Sequence, residues 1–382
     1  MTAQETLAQL VAINSVSFNS NLQIVEYLEH RCQAAGFRVK RFSYLDENSI
    51  EKINVVALAG ADFSGDSYAE LALVGHTDTV PFDSNWSEAT TLIEREGKLF
   101  GRGSCDTKGF IAAALTAVDN LDVNKLKRPL ALVFTADEEI GLLGAKYLAQ
   151  IKPLQVRYSI VGEPTSLRPI HAGKGYSLAT VVVRGREAHS AYPALGASAI
   201  FRAARLISRL EAIAEQLKED QHAGFDPPFT TLNVGLIKGG TAKNVMAGKC
   251  EFTLEWRPIP TQDPQLVLNL IDKAIEEEKK TDTEFNCEVT CGRNDSGFET
   301  SSESPLVTFL EITTGKKTGS VAFGTEGAQM TILGSEAVVM GPGDIREAHR
   351  TGEFVPIDEL NRCAEILAQS IQHFCFETPL PF

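Results

Sequence analysis

The sequence predicts an α/β fold: a mostly parallel mixed sheet with helices on both faces, interrupted by an inserted ferredoxin-like α+β domain. Three observations lead there. Short apolar runs at Asn54–Leu58, Leu71–Val74, Leu130–Thr135 and Tyr158–Val161 read as strands buried on both faces. Helical periodicities separate them, the alternation that builds a parallel sheet. Past Lys174 the texture changes to a β-α-β-β-α-β order, the split βαβ arrangement. The expected boundaries are 1–175 for the first part of the main domain, 176–291 for the insert and 292–382 for the second part.

Taken in order, a helix is expected from Gln4 to Val11, with Leu7, Leu10 and Val11 on one face. A second runs from Asn21 to Ala35, with Leu22, Val25, Leu28 and Cys32 on one face, Ser20 able to cap its start and Gly36 ending it. Phe37–Tyr44 is a strand. Ile93–Gly97 and Lys98–Gly101 form a turn before the glycine-rich loop GRGSCDTKG, and Phe110–Leu121 follows as an alanine-rich helix. Gly144–Gln150 is another helix. In the insert, strands Ser177–Arg184, Thr231–Ile237, Lys249–Trp256 and Phe285–Thr290 alternate with helices Ala197–Lys218 and Leu266–Lys279. The polar stretch Gly292–Ser304 leads back to helix Leu306–Thr314, strand Ala337–Met340 and a closing helix, Asp358–Phe374.

A chain of 382 residues, 43% hydrophobic, has length enough for two domains. Its net charge of −14 argues against nucleic acid as a partner, because phosphate binding needs clustered Lys and Arg. Seven cysteines without CxxC spacing argue for a reducing compartment. The amino terminus, MTAQETLAQLVAI, has no export signal, and no apolar run approaches the roughly 20 residues of a membrane span. A cytoplasmic protein with no membrane partner is expected.

Five stretches bring residues that could carry chemistry together. His76 and Asp78 follow the Leu71–Val74 run directly, where ligands gather at the carboxyl ends of strands. Asp106 lies between the glycine-rich loop and the next helix. Glu138 and Glu139 close the Leu130 strand in TADEEIG; being adjacent, their side chains diverge, so that one can ligate while the other handles protons. Glu163 follows a buried strand and is held extended by Pro164. His349 lies in a loop after the Ala337 strand. Singly, each has an ordinary reading as a loop histidine or a helix-start acid. Jointly, two imidazoles and three carboxylates with no cysteine suit a two-metal site, one carboxylate bridging. The glycine-rich loops match neither G-x-x-x-x-G-K-[ST] nor G-x-G-x-x-G, which removes a nucleotide-binding reading.

The stretches GHTDTVPFDSNW, GRGSCDTKGF, TADEE, GEPTSLRP, the TEG after Phe323, and GPGDIREAH followed by RTGEF resemble those of the M20 family of co-catalytic metallopeptidases and deacylases. The resemblance covers nearly the whole chain. It implies a zinc-exopeptidase-like catalytic domain, with the insert serving as a lid through which two copies form a homodimer. It implies that Asp106 bridges two divalent ions, zinc foremost with cobalt or manganese tolerated. His76 and Glu163 would complete one ion, Glu139 and His349 the other. Glu138 would be the general base, and Asp78 would orient His76. His189, in GREAHSAYP, would reach across the dimer to stabilise an oxyanion. Asn244 in GGTAKNV, Arg257 in EWRPIP and Lys174 in HAGKGY match substrate-contacting positions, with Tyr192 and Thr325 of the same kind. Thr107 stands where the family usually has methionine, and a packing change alone is expected from it. The reaction implied is hydrolysis of an N-acyl amino acid. The motif combination, with Thr325, Glu326, Gly327 and Ala328 where desuccinylases carry T-S-D-G-R, points to the acetyl group of N2-acetyl-L-ornithine. A desuccinylase, a general N-acyl amino acid hydrolase or a dipeptidase would share the same ligands. A catalytically silent metal-binding protein would lack a ligand or the base, and none is missing.

Overall fold

The computed structural model describes residues 1–63, 67–119 and 121–376. Position 120 of the expected Phe110–Leu121 helix and positions 377–382 of the expected last part therefore lie outside the described residues. The chain divides into two compact units. One comprises Met1–His171, Glu299–Gly319 and Thr325–Phe382; the other comprises Ala172–Phe298 and Ser320–Gly324.

The first unit holds a mixed sheet in the order Arg38–Leu45, Glu51–Ala59, Leu130–Thr135, Tyr68–His76, Gln155–Val161, Glu336–Val339. The last four strands run parallel to one another. The first two form an antiparallel hairpin, and Glu51–Ala59 joins Leu130–Thr135 antiparallel as well. Parallel order is thus confined to the centre of the sheet. Central strands are covered on both faces, which is why they read as unbroken apolar runs. Leu71, Leu73, Leu130, Leu132 and Phe134 belong to the core that also takes in Leu7, Leu10, Ile111, Leu115 and Leu367 from helices Ala3–Ala12, Lys108–Val118 and Ile357–Ile371. The alternate residues Ala72, Val74, Ala131 and Val133 are buried too.

Ends of elements follow local chemistry. Thr2 and Glu5 form a capping box at the first helix. At the second helix, Leu22–Ala34, the cap position is Asn21 and not Ser20. The Asn21 side chain instead brackets Ile53, donating to its carbonyl at 2.8 Å and accepting its N–H at 3.1 Å, which fastens the helix start to the sheet. The helix Gly327–Ile332 and the strand Phe354–Pro356, which pairs with Lys98–Phe100, were too short to show a period.

The second unit is a four-stranded antiparallel sheet, Thr231–Gly239, Lys249–Arg257, Tyr176–Arg184, Asn286–Asp295, with helices Ala199–Gln216 and Leu266–Thr281. Here the strands alternate. Ala179, Val181 and Val183 face Phe252, Leu254 and the helix residues Leu206 and Ile271, while their neighbours are more exposed.

Two glycines let a helix come close to the strand ends. A Cβ at Gly162 would lie 2.2 Å from the Phe110 ring, and one at Gly75 would lie 3.3 Å from the same ring. The fully buried Phe110 fills that space and seats the helix Lys108–Val118, so that Asp106, two residues before it, stands over the sheet. Gly162→Ala should therefore displace the ring, at a cost of about 1–3 kcal/mol for overpacking. Urea unfolding should register that loss, with partial recovery in the double variant Gly162→Ala, Phe110→Leu. A midpoint equal to the parent's would mean the contact is looser than described.

Candidate metal centre

Parallel pairing brings the carboxyl ends of three strands level. His76 stands opposite Thr135, and Val74 opposite Val161. Thr77 donates both its N–H and its hydroxyl to the Thr135 carbonyl, each at 2.8 Å, and the Gly162 N–H reaches the Val74 carbonyl at 2.8 Å. The loops bearing Glu138, Glu139 and Glu163 thus start from one fixed rim.

The loop before the Lys108 helix is held by Glu353, a completely buried carboxylate. One of its oxygens accepts the N–H groups of Cys105 and Asp106, each at 3.0 Å, and the other takes the Arg102 guanidinium at 2.5 Å. The Thr107 hydroxyl donates to the Gly162 carbonyl at 3.0 Å, tying the loop to the strand end that carries Glu163. The expectation of a packing change alone at Thr107 is corrected, since methionine could not make this bond. Lys108 donates to the Ile13 carbonyl at 2.8 Å, and burial lowers its pKa to about 7.

Asp106 lies between two imidazoles. Its Oδ1 is 3.0 Å from His76 Nε2, and its Oδ2 is 3.0 Å from His349 Nε2. His349 Nε2 is also 3.1 Å from the Glu139 carboxylate. His76, Asp106 and Glu139 each offer a ligand atom within 4.8 Å of the others. The second nitrogen of His76, Nδ1, is 3.0 Å from the main-chain carbonyl of Asp78. A carbonyl can only accept, so Nδ1 carries a proton and Nε2 is the nitrogen turned toward Asp106. The position between Nε2 and the carboxylate is one that a proton or a metal cation can take.

The Asp78 carboxylate stands 3.7 Å from His76 Nδ1 and has closer partners. Oδ1 accepts the Glu138 N–H at 3.0 Å; Oδ2 accepts the Glu139 N–H at 3.3 Å and the Ser17 hydroxyl at 2.7 Å. Asp78 thus holds the imidazole through its main chain and the two acids through its side chain.

Burial dominates the electrostatics of the acids. It pushes Glu138 and Glu163 well above the usual carboxylate range, helped at Glu163 by the charges of Asp106 and Glu138. Glu139 is raised by burial as well. Asp106 goes the other way: burial opposes its charge, but hydrogen bonds from His349 and His76 hold it low. The same bonds raise His349 to about 10, and they carry His76 well above its ordinary value against the effect of burial. The cluster draws positive charge, and its donors are imidazole nitrogens and carboxylate oxygens only. Cys105 points away, its Sγ 3.5 Å from the Asp344 carbonyl, and burial keeps it a thiol. Such a donor set fits divalent metal ions.

The remaining candidates are placed as follows. Thr325 is buried, and its Oγ1 accepts the Gly327 N–H at 3.2 Å. In the second unit, His189, Tyr192 and Asn244 form one exposed group: a β-bridge joins His189 to Val245, the Ser190 N–H reaches the Asn244 carbonyl at 3.0 Å, and the His189 and Tyr192 rings are 5.9 Å apart. Arg257 lies over the Tyr176 ring at 4.6 Å, with Nε 2.7 Å from Glu255. Lys174 is fully buried and donates to the carbonyls of Pro227 and Phe229 at 2.7 and 2.6 Å, so two of its three N–H groups are engaged. Glu353, Glu326 and Asp137 had been assigned no part. Each stood inside a motif already singled out, and its burial is what marks it. Glu326 accepts the Thr135 hydroxyl at 2.5 Å, and burial raises it to about 7.

The chain is similar to known proteins along its whole length. It is 51% identical over 371 residues to the acetylornithine deacetylase of Myxococcus xanthus, covering 97% of each chain. Among solved structures, a tripeptidase from Staphylococcus aureus matches with a TM-score of 0.78 at 24% identity, over 97% of both chains. A dinuclear metal binding peptidase of the M20 family from Bacillus subtilis matches with a TM-score of 0.65 at 13% identity, over 97% of this chain and 98% of that one. At such identities the two structures speak to the fold alone. The model of peptidase family M20/M25/M40 matches residues 72–373, and the chain belongs to that family.

Proposed function

We propose that the chain is a metal-dependent hydrolase that removes the acetyl group from N2-acetyl-L-ornithine, giving L-ornithine and acetate, a reaction of arginine biosynthesis. One observation carries the chemistry: a buried carboxylate, Asp106, with an oxygen 3.0 Å from each of two imidazoles. The choice of substrate is supported by the full-length likeness to the Myxococcus xanthus acetylornithine deacetylase.

Asp106 would bridge two divalent ions, with His76 and Glu163 completing one and Glu139 and His349 the other. Zinc suits these donors best, and cobalt or manganese accept them. Bound there, the pair supplies a water of lowered pKa and a Lewis acid for the carbonyl oxygen. The remaining work falls to the chain. Glu138, beside a ligand but not one itself, takes a proton from the water as its oxygen bonds to the acetyl carbon. Desolvation pushes this carboxyl well above its usual range, so it holds the proton rather than releasing it. As the C–N bond breaks, that proton passes to the departing nitrogen and acetate remains. His189, contributed by the partner copy of a homodimer formed through the inserted unit, would donate to the developing oxyanion. Arg257 offers a planar fork suited to the α-carboxylate, and Asn244, Lys174, Tyr192 and Thr325 would add contacts. Seven free cysteines fit a reducing cytoplasm. No helix among the described residues is long and apolar enough to cross a membrane.

With zinc or cobalt added, kcat/KM for N2-acetyl-L-ornithine should exceed that for N-succinyl-diaminopimelate and simple N-acetyl amino acids by at least about tenfold. Parity across the panel, or preference for the succinyl compound, rejects the substrate. Glu138→Ala should keep its metal by elemental analysis while losing roughly 10²–10⁴ in kcat; turnover at the parental rate removes the assigned role. Ligation needs neutral imidazoles, yet metal-free His349 keeps its proton up to a pH of about 10. Metal binding must therefore expel protons, and apparent affinity should rise with pH through neutrality toward about 10 and weaken as pH falls. Chelator competition at several pH values reads that slope, and a flat profile would exclude His349 as a ligand.

A further inference from the structure

The run of acids after Thr135 contains one member that the reaction above leaves unused. Asp137 precedes the base, is 1% exposed, and has a left-handed backbone with φ of 55°, a conformation aspartate takes up more readily than most residues. Tyr44 donates its hydroxyl to Asp137 Oδ2 at 2.8 Å, and Lys52 Nζ stands 3.2 Å from Oδ1. These two residues sit directly opposite each other in the Arg38–Leu45 and Glu51–Ala59 hairpin, so one rung of the sheet grips the carboxylate from both strands. Two residues further along, on the same face, Asn54 accepts the Ala136 N–H at 3.0 Å and donates to the Gly144 carbonyl at 3.2 Å, closing the ends of the turn. Lys52 also donates to the carbonyls of Ser17 and Asn19. The Ser17 hydroxyl in turn reaches Asp78, which receives the N–H groups of Glu138 and Glu139.

We propose that Tyr44 and Lys52 are positioning residues for catalysis: acting through Asp137, they fix the direction in which Glu138 presents its carboxylate. This rests on Glu138 being the base. The Tyr44 phenol, driven far up by burial and by the charge of Asp137, is a neutral donor throughout the working pH range. Losing its hydroxyl frees one side of the grip without emptying the space the ring fills.

Tyr44→Phe is the direct test. It should lower kcat about tenfold, the scale of one hydrogen bond to a charged group, with KM and metal content unchanged. In a Glu138→Ala background, assayed at high enzyme concentration, the same substitution should have no further effect, because both changes act on one group. Asp137→Asn, which keeps the shape, should reproduce the kcat loss of Tyr44→Phe. Amide hydrogen exchange across 136–142 reads the turn without any assay of activity, and it should quicken by about tenfold in Tyr44→Phe. Equal kcat losses in both backgrounds, or unchanged exchange, overturn the proposal. A parent protein that cleaves no acylated amino acid refutes the functional reading instead, and the exchange measurement then decides the grip on the turn alone.

Discussion

Several carboxylates gathered at one strand rim and largely withdrawn from water repel one another and lose hydration, and the first unit is shaped by that constraint. Asp106, Glu138, Glu139, Glu163 and Glu326 influence each other's ionisation, with His76 and His349 the imidazoles among them. Removing an ion from water costs several kcal/mol unless a counter-charge comes with it. The protein responds by raising the pKa values of most of these acids and of both imidazoles. Divalent ions would meet the same demand with fixed charge. Left to themselves the loops would splay, and what prevents it is main-chain hydrogen bonding. Glu353 anchors two N–H groups of the Asp106 loop, Thr107 anchors the strand end before Glu163, and Asp78 anchors both acids of the Glu138 turn.

Secondary structure delivers the groups to that point. Parallel strands end level, so the loops that carry Glu138, Glu139 and Glu163 leave the sheet at the same height as His76. Glycine at positions 75 and 162 leaves room for Phe110, and that ring seats the helix which Asp106 precedes by two residues. The outer hairpin adds no residue to the cluster around Asp106 among the described residues. Its inner face, through Tyr44, Lys52 and Asn54, supports the turn that bears Glu138.

These relations divide into those a linear pattern displays and those it does not. The strand Leu130–Thr135 has the bounds its apolar run suggests, and the β-α-β-β-α-β order of the second unit follows from period alone. His76 and Glu163 stood out because an apolar run stops abruptly before each. Strand direction was less visible: Glu51–Ala59 is as apolar as its parallel neighbours and yet runs against Leu130–Thr135, since direction depends on the connection and not on composition. Buried charges were hidden for a related reason. Lys52, Lys174 and Glu353 sit in polar stretches that resemble surface, and the partners that compensate them lie far away in sequence. Glu353 bonds to a loop 248 residues earlier, and Tyr44 reaches Asp137 across 93 residues.

The two-residue spacing of His76 and Asp78 has a physical reason that involves both the main chain and the side chain of Asp78. The carbonyl of residue 78 meets Nδ1 of the ring and thereby fixes which nitrogen is free for a metal. The side chain of the same residue accepts two successive N–H groups and a hydroxyl. An asparagine there could offer only one oxygen to those three donors, and its amide would press N–H against N–H. A glutamate would need space for a further methylene in a site already closed to solvent. A short carboxylate satisfies all three donors, so one residue links the tautomer of His76 to the orientation of the turn that carries Glu138. A side-chain change at this position should therefore loosen the turn of Glu138 and Glu139, while the carbonyl that meets the imidazole is retained by any residue.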